Sequence, residues 1–216
     1  YGVIDGAEIE TSGNLYVRGG ICGKEGTRVK VAGDIHAKFI LGANIEAGGD
    51  IIVEREIAHS IVKSRGAVRV PQGRIAGGEI TALGGIEVGE AGTEACIVTR
   101  LNPGVDYQLE ELLHEKRKQI DELREREAKI MDTMKPILPT IKSLPPDKKE
   151  GILKLLENAK LLKKEADELQ AKVNRQKEES KEESKSTIMI LKSIFPELKV
   201  SIQGEHHHFW LQNLGR

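Results

Sequence analysis

The sequence predicts a mainly β protein with an α insertion: a parallel β-helix, or solenoid, interrupted by a long antiparallel coiled-coil helical hairpin. Three observations lead there. Glycine is crowded into the first part of the chain, 20 of 23 residues lying within positions 1–104, and a glycine-led frame recurs through it. From 105 to about 195 there is one glycine, and charge becomes dense, with 20 Lys/Arg against 19 Asp/Glu. Strand-like alternation then returns after Phe195-Pro196.

The frame is Gly13-Asn14-Leu15-Tyr16-Val17. It recurs as Gly33-Asp34-Ile35-His36-Ala37, Gly49-Asp50-Ile51-Ile52-Val53, Gly66-Ala67-Val68-Arg69-Val70 and Gly84-Gly85-Ile86-Glu87-Val88, at intervals of 20, 16, 17 and 18 residues. A frame held at such a period is the signature of a solenoid. Within each repeat, apolar and polar residues alternate in short bursts, as in Val29-Lys30-Val31, Ile45-Glu46-Ala47 and Ile80-Thr81-Ala82. Period two means strands. Three bursts fill the second repeat: Ile35-His36-Ala37, Phe39-Ile40-Leu41 and Asn44-Ile45-Glu46-Ala47. Three short strands per coil predict a triangular β-helix. Leu15, Ile35, Ile51, Val68 and Ile86 are expected in one inward column, and Val17, Ala37, Val53, Val70 and Val88 in the next. Glycines such as Gly77-Gly78 and Gly84-Gly85 mark the corners, where the chain must bend sharply.

Asn102-Pro103-Gly104 breaks this pattern. Leu109, Leu113, Ile120, Leu123, Ile130 and Met134 then recur at helical spacing, with Lys116 and Glu127 interrupting the stripe, and Pro136 and Pro139 stop the helix. Asp147 is expected to cap a second helix. In that helix Ile152, Leu155, Ala159, Leu162, Ala166, Leu169 and Val173 alternate by three and four. Two such stripes joined by a Pro-rich bend predict an antiparallel hairpin over 105–196, inserted in a discontinuous β-helix of 1–104 and 197–216. Phe209, Trp210, Leu211 and Leu214 are expected to cap the last coil. At the hairpin tip, Ile137, Leu138, Ile141 and Leu144 are more apolar than a solvated bend requires. They form the candidate protein-binding site, unless the tip packs on itself.

Net charge is -1, pI about 6.7 and aromatic content 3%. Nothing in that balance recruits nucleic acid or an anionic membrane. No apolar run reaches the length of a membrane span. The chain opens at Tyr1 without Met, so it is expected to be a fragment of a longer protein. Cys22 and Cys96 lack a CxxC pattern and read as small buried residues of a reducing compartment. His206 and His208 share a strand face suited to a metal, but the sequence indicates no third ligand, and a polar surface run is the simpler reading. His36 and His59 lie in the coils, where some β-helix acyltransferases keep a general base. Here the coil length drifts, and His36 falls between two inward residues, so it faces solvent. Asp34, Asp50 and Glu87 read as outward, solubilising residues. No catalytic, cofactor or metal site is predicted.

Gly33-Asp34-Ile35, Gly49-Asp50-Ile51-Ile52-Val53, the helical hairpin and a returning Pro196-to-Gly204 strand together resemble the bacterial flagellar assembly protein A (FapA) family. The resemblance implies a right-handed parallel β-helix similar to the C-terminal domain of the division inhibitor MinC. It also implies a cytoplasmic protein linked to flagellar assembly or polar placement, and it brings no catalytic residues. The expected function is a non-enzymatic scaffold binding a protein partner, such as a cytosolic regulatory or signalling protein, through the β-helix faces or the helical arm. Self-association is the further expectation. An acyltransferase-like enzyme and a self-polymerising filament, nucleated at a first coil around Val3-Ile4 and Ile9, are the rival readings.

Overall fold

A computed structural model gives the architecture; it describes residues 2–23, 26–143, 145–183, 187–202 and 205–209, with the side chains of 142, 143, 147, 181–183 and 205–209 outside the description. The chain forms a parallel β-solenoid of about five turns and two long helices. The first strands are β1 (Ile4–Asp5), β2 (Glu8–Thr11), β3 (Leu15–Val17), β4 (Ile21–Cys22), β5 (Arg28–Val31), β6 (Ile35–Leu41) and β7 (Asn44–Ala47). Next come β8 (Ile51–Ser64), β9 (Val68–Ala82), β10 (Ile86–Ala91) and β11 (Thr99–Pro103). The helices α1 (Tyr107–Met134) and α2 (Pro146–Glu183) follow, and then β12 (Ile188–Ile194), β13 (Leu198–Ile202) and β14 (Glu205–Phe209). Contacts divide the chain into two units, Tyr1–Tyr107 with Lys181–Arg216, and Gln108–Ser180.

In the first unit the expected inward columns form in register. Leu15, Ile35, Ile51, Val68, Ile86 and Ile188 align coil upon coil. A second face stacks Ile4, Ile21, Ile40, Ile57, Ile75, Ala91 and Ile194. A third stacks Ile9, Val29, Ile45, Val62, Ile80, Leu101 and Val200. The three columns meet in one core, sealed in its middle coils and half-open at Ile4, Ile9 and Leu15 and again at Ile188. Each sealed isoleucine contributes about 1.5–3 kcal/mol, and only because a neighbouring coil covers it. Strand structure resumes at Ile188, ahead of the Phe195-Pro196 break where the sequence places it, because β12 continues the β10 register. β14 pairs antiparallel with β13, matching Leu198 to Phe209.

One corner explains the glycine frame. The Asp34 N–H donates to Asn14 Oδ1 at 2.9 Å, the Asp50 N–H to Asp34 Oδ1 at 2.8 Å, and the Ala67 N–H to Asp50 Oδ1 at 2.8 Å. A Cβ at Gly33, Gly49 or Gly66 would overlap the side-chain oxygen of the coil beside it. Asp34 and Asp50 therefore tie coil to coil, which corrects their reading as solubilising residues. Asp50 also pairs with the Arg69 guanidinium. Burial pushes the Asp50 carboxyl up, but the Ala67 N–H, the hydrogen bond and charge of Arg69, and His36 outweigh it. Together they hold it below its ordinary value of 3.8.

A second corner turns through the left-handed region, at Gly42 (φ 63°), His59 (φ 50°) and Gly77 (φ 72°). His59 is the residue there that carries a Cβ penalty. Buried hydroxyls close the same corner. Ser60 Oγ accepts the Ala43 N–H at 3.2 Å and donates to Ala58 O at 2.8 Å, and Thr99 Oγ1 accepts the Gly77 N–H at 2.8 Å.

In the second unit Leu113 and Ile120 of α1 pack with Ala166 and Val173 of α2, flanked by Leu109, Leu123 and Leu169. Lys116 Nζ donates to Gln176 Oε1 at 2.8 Å, so the charge that interrupts the stripe finds a polar partner on the other helix. Two expectations are corrected. Leu155 is 42% exposed while Leu156 is half-buried, since a position four residues after Ile152 lies nearer the seam. α2 begins at Pro146, whose missing N–H costs nothing in a first turn, so Asp147 lies inside the helix instead of capping it.

Replacing Asp50 with Ala leaves the Ala67 N–H without its acceptor and is expected to cost about 1–2 kcal/mol in urea unfolding. Asp50→Asn keeps an acceptor, as Asn14 does in its own coil, and is expected to cost under about 1 kcal/mol. Because the Asp50 value is lowered on folding, its ionic contribution is full above pH 3.8 and is lost as pH falls through the folded value. The stability difference between wild type and Asp50→Asn should therefore shrink below that pH. At the left-handed corner, His59→Gly is expected to raise stability by about 0.5–1 kcal/mol, read from thermal melts.

Candidate interaction surfaces

Strand geometry decides what the faces display. Where a coil runs in, out, in, one side chain per coil points outward. On the β3–β6 face that row is Tyr16, His36, Ile52, Arg69, Glu87 and Met189, aligned by the same registers that stack the core. Its members stand about 4.8 Å apart. Tyr16 is 66% exposed, and its ring stacks on His36 with centroids 4.8 Å apart and planes 21° from parallel. Ile52 is half-buried and Met189 is 51% exposed.

The β5–β7 face has a different character. Lys30 pairs with Glu10 at 3.8 Å, Arg28 with Glu46 at 3.2 Å, and Asn102 Nδ2 donates to Glu79 Oε1 at 2.8 Å. Charges there satisfy one another between coils. At the edge of this face Tyr107 is buried, with its hydroxyl donating to Ala47 O at 3.4 Å and Lys63 Nζ 5.6 Å from its ring centre. Arg65 and Asp106 pair beside it at 3.3 Å. These contacts pin the chain just where α1 starts.

A third surface is an open groove of about 350 Å³ lined by Arg55, Glu56, Gln72, Gly73, Arg74 and Glu90. Arg74 is held by Glu56 at 2.8 Å, and Lys192 Nζ donates to Gln72 O at 3.0 Å. The groove mixes both signs of charge and converges on neither.

At the predicted tip, the Ile137 N–H bonds Met134 O at 2.9 Å and the Thr140 N–H bonds Ile137 O at 3.0 Å, leading into a 3-10 turn over Leu138–Ser143. Ile137 and Ile141 are half-buried and Leu138 is 37% exposed; Leu144 lies outside the described residues. His36 lies under Tyr16 on an open face, and His59 is exposed at its corner. The side chains of His206, His207 and His208, and the expected cap of Phe209, Trp210, Leu211 and Leu214, lie outside the described residues. Among the described residues no three His, Cys, Asp or Glu side chains are placed to hold a metal, and no helix is long and apolar enough to cross a membrane. Both cysteines are free, but they are not buried as expected: Cys22 is half-buried and Cys96 is exposed. Cys96 (φ 55°) sits in the loop between β10 and β11.

Sequence reasoning missed the Tyr16–Ile52 row as a surface. Its signal was present: both are apolar or aromatic at the outward position of the frame, where a solubilising residue is expected.

The model of the flagellar assembly protein A (FapA) β-solenoid domain matches residues 1–209. No curated protein and no solved structure matches the chain. A match of that extent, across coils and helices alike, shows that the chain belongs to the flagellar assembly protein A family.

Proposed function

We propose that the protein is a non-enzymatic scaffold of bacterial flagellar assembly, working in the cytoplasm and at the cell pole. It holds a protein partner of the cytosolic regulatory or signalling kind. The observation that carries this reading is the Tyr16–His36–Ile52 row, an aromatic and apolar strip on a stiff face. Exposed aromatic side chains at fixed spacing are the usual anchors of protein interfaces. The tip residues Ile137, Leu138 and Ile141 provide a second contact. No specific observation favours an acyltransferase or a filament.

In this reading the body is a right-handed β-helix, the hand that parallel crossovers between L-residue strands prefer. It is discontinuous, with the helical segment inserted as an antiparallel coiled-coil hairpin. The Lys116–Gln176 hydrogen bond, joining the early part of α1 to the late part of α2, supports that pairing, as does the Leu113–Val173 cluster. A polar pair in such a seam fixes register at some cost in stability.

Two experiments test the proposal. A flagellated host expressing only Tyr16→Ala/Ile52→Asp is expected to assemble fewer flagella than one with wild-type protein at the same level, counted by electron microscopy. Equal counts would remove the face from the mechanism. For the hairpin, Leu113→Cys with Val173→Cys, in a background lacking Cys22 and Cys96, should form an intramolecular disulfide under mild oxidation. Failure to cross-link, with folding intact by circular dichroism, would refute the antiparallel pairing.

A further inference from the structure

We infer that the β3–β6 face closes on a second copy of the same chain, as a symmetric dimer whose two outward rows run in opposite directions. This rests on the reading of that face as the protein's contact surface and names one occupant for it. In order along the coils the row reads Tyr16, His36, Ile52, Arg69, Glu87 and Met189, one residue per coil and about 4.8 Å apart. Turned on itself about a two-fold axis that lies between Ile52 and Arg69, the row is complementary at every place.

Tyr16 of one copy meets Met189 of the other. Both are more than half exposed, and a thioether packs well on an aromatic ring. His36 meets Glu87. Among the described residues Glu87 makes no ion pair, since Arg69, one coil away, is turned to Asp50. Its carboxylate is thus left to accept an imidazole N–H from across the interface. Ile52 meets the aliphatic stem of Arg69, whose charged head stays with Asp50.

The same six residues reject the other arrangements. With the rows parallel, each residue faces its own counterpart, which sets Arg69 on Arg69 and Glu87 on Glu87. Shifting the reversed rows by one coil sets Arg69 on Arg69 in one direction, and in the other leaves Met189 beyond the row's end. Like charges opposed across an interface cost affinity. The β5–β7 face offers no such match, because Glu10, Arg28, Lys30 and Glu46 pair within the chain. A two-fold contact uses the same patch on both copies, so assembly stops at two chains. The second copy and a regulatory partner then compete for Tyr16 and Ile52.

His36 and Glu87 lie three coils apart within one chain, about 14 Å, which is too far for a disulfide. The full chain with Cys22→Ala and Cys96→Ala, carrying both His36→Cys and Glu87→Cys, is therefore expected to oxidise to a covalent dimer. Either single cysteine should do so at least about tenfold less. In sedimentation the wild-type chain should grow reversibly from 23.8 kDa towards twice that mass as its concentration rises. Tyr16→Ala/Ile52→Asp should raise the dissociation constant at least about tenfold. A chain that stays monomeric at millimolar concentration, a dimer unmoved by Tyr16→Ala/Ile52→Asp, or single cysteines that cross-link as fast as the pair overturns the inference. Flagellar counts separate it from the partner reading: a monomeric wild type whose Tyr16→Ala/Ile52→Asp host still loses flagella sinks the dimer and leaves the partner in place.

Discussion

Everything in the solenoid depends on parallel register between successive coils. A coil of this length cannot bury Ile35, Ile40 and Ile45 by itself, because each points into a space that its neighbours must fill. The core therefore requires a fixed register, and the Asn14–Asp34–Asp50 corner sets it. Each side-chain oxygen takes the amide that opens the next coil, so a coil shifted by one residue would lose its acceptor and turn its apolar side chains outward. The glycine before each of these positions follows from the same contact. It is small because the oxygen of the adjacent coil already occupies the place of a Cβ.

That logic also explains how much could be read from the sequence. The column from Leu15 to Ile86 was legible because every member follows the same glycine-led signature. Ile188 belongs to the column but is preceded by Lys185-Ser186-Thr187, with no glycine to announce it, and so the chain seemed to stay helical too long. Asp34 and Asp50 carried charge in a repeating outward position, which alternation alone reads as solvation; their role depends on an amide in another coil that no local pattern reveals. The helical seam was legible where the three-four spacing was strict. It failed at Leu155 and Leu156, adjacent leucines between which packing decides. The tip was expected as a binding site from an excess of apolar residues around two prolines. The Tyr16–Ile52 row carried its signal at the outward position of the frame, but its members are chemically unlike and become a strip only when the coils stack.

The drift in coil length has a physical place. Ile35 and Ile40 are separated by four residues, whereas Val68 and Ile75 are separated by six, yet both pairs sit in the same two columns. Likewise Cys22 to Arg28 is a longer passage than Leu41 to Asn44, while Val29 still meets Ile45. Insertions fall at corners, and the strands keep register across them. The register shifts between Ile52 and Glu56 and between Val88 and Glu90 are the local record of these insertions, and the groove around Gln72 and Gly73 is their surface expression.

Faces built on one register can still differ in what they offer a partner. On the β5–β7 side, Glu10 with Lys30 and Arg28 with Glu46 spend their charge on each other, across coils about 4.8 Å apart. A partner approaching that face would have to displace pairs worth up to about 1 kcal/mol each and gain little in exchange. On the β3–β6 side the first three coils present Tyr16, His36 and Ile52, whose burial releases water without breaking an ion pair. The contact that orders these residues is the inter-coil stacking that forms the core beneath them.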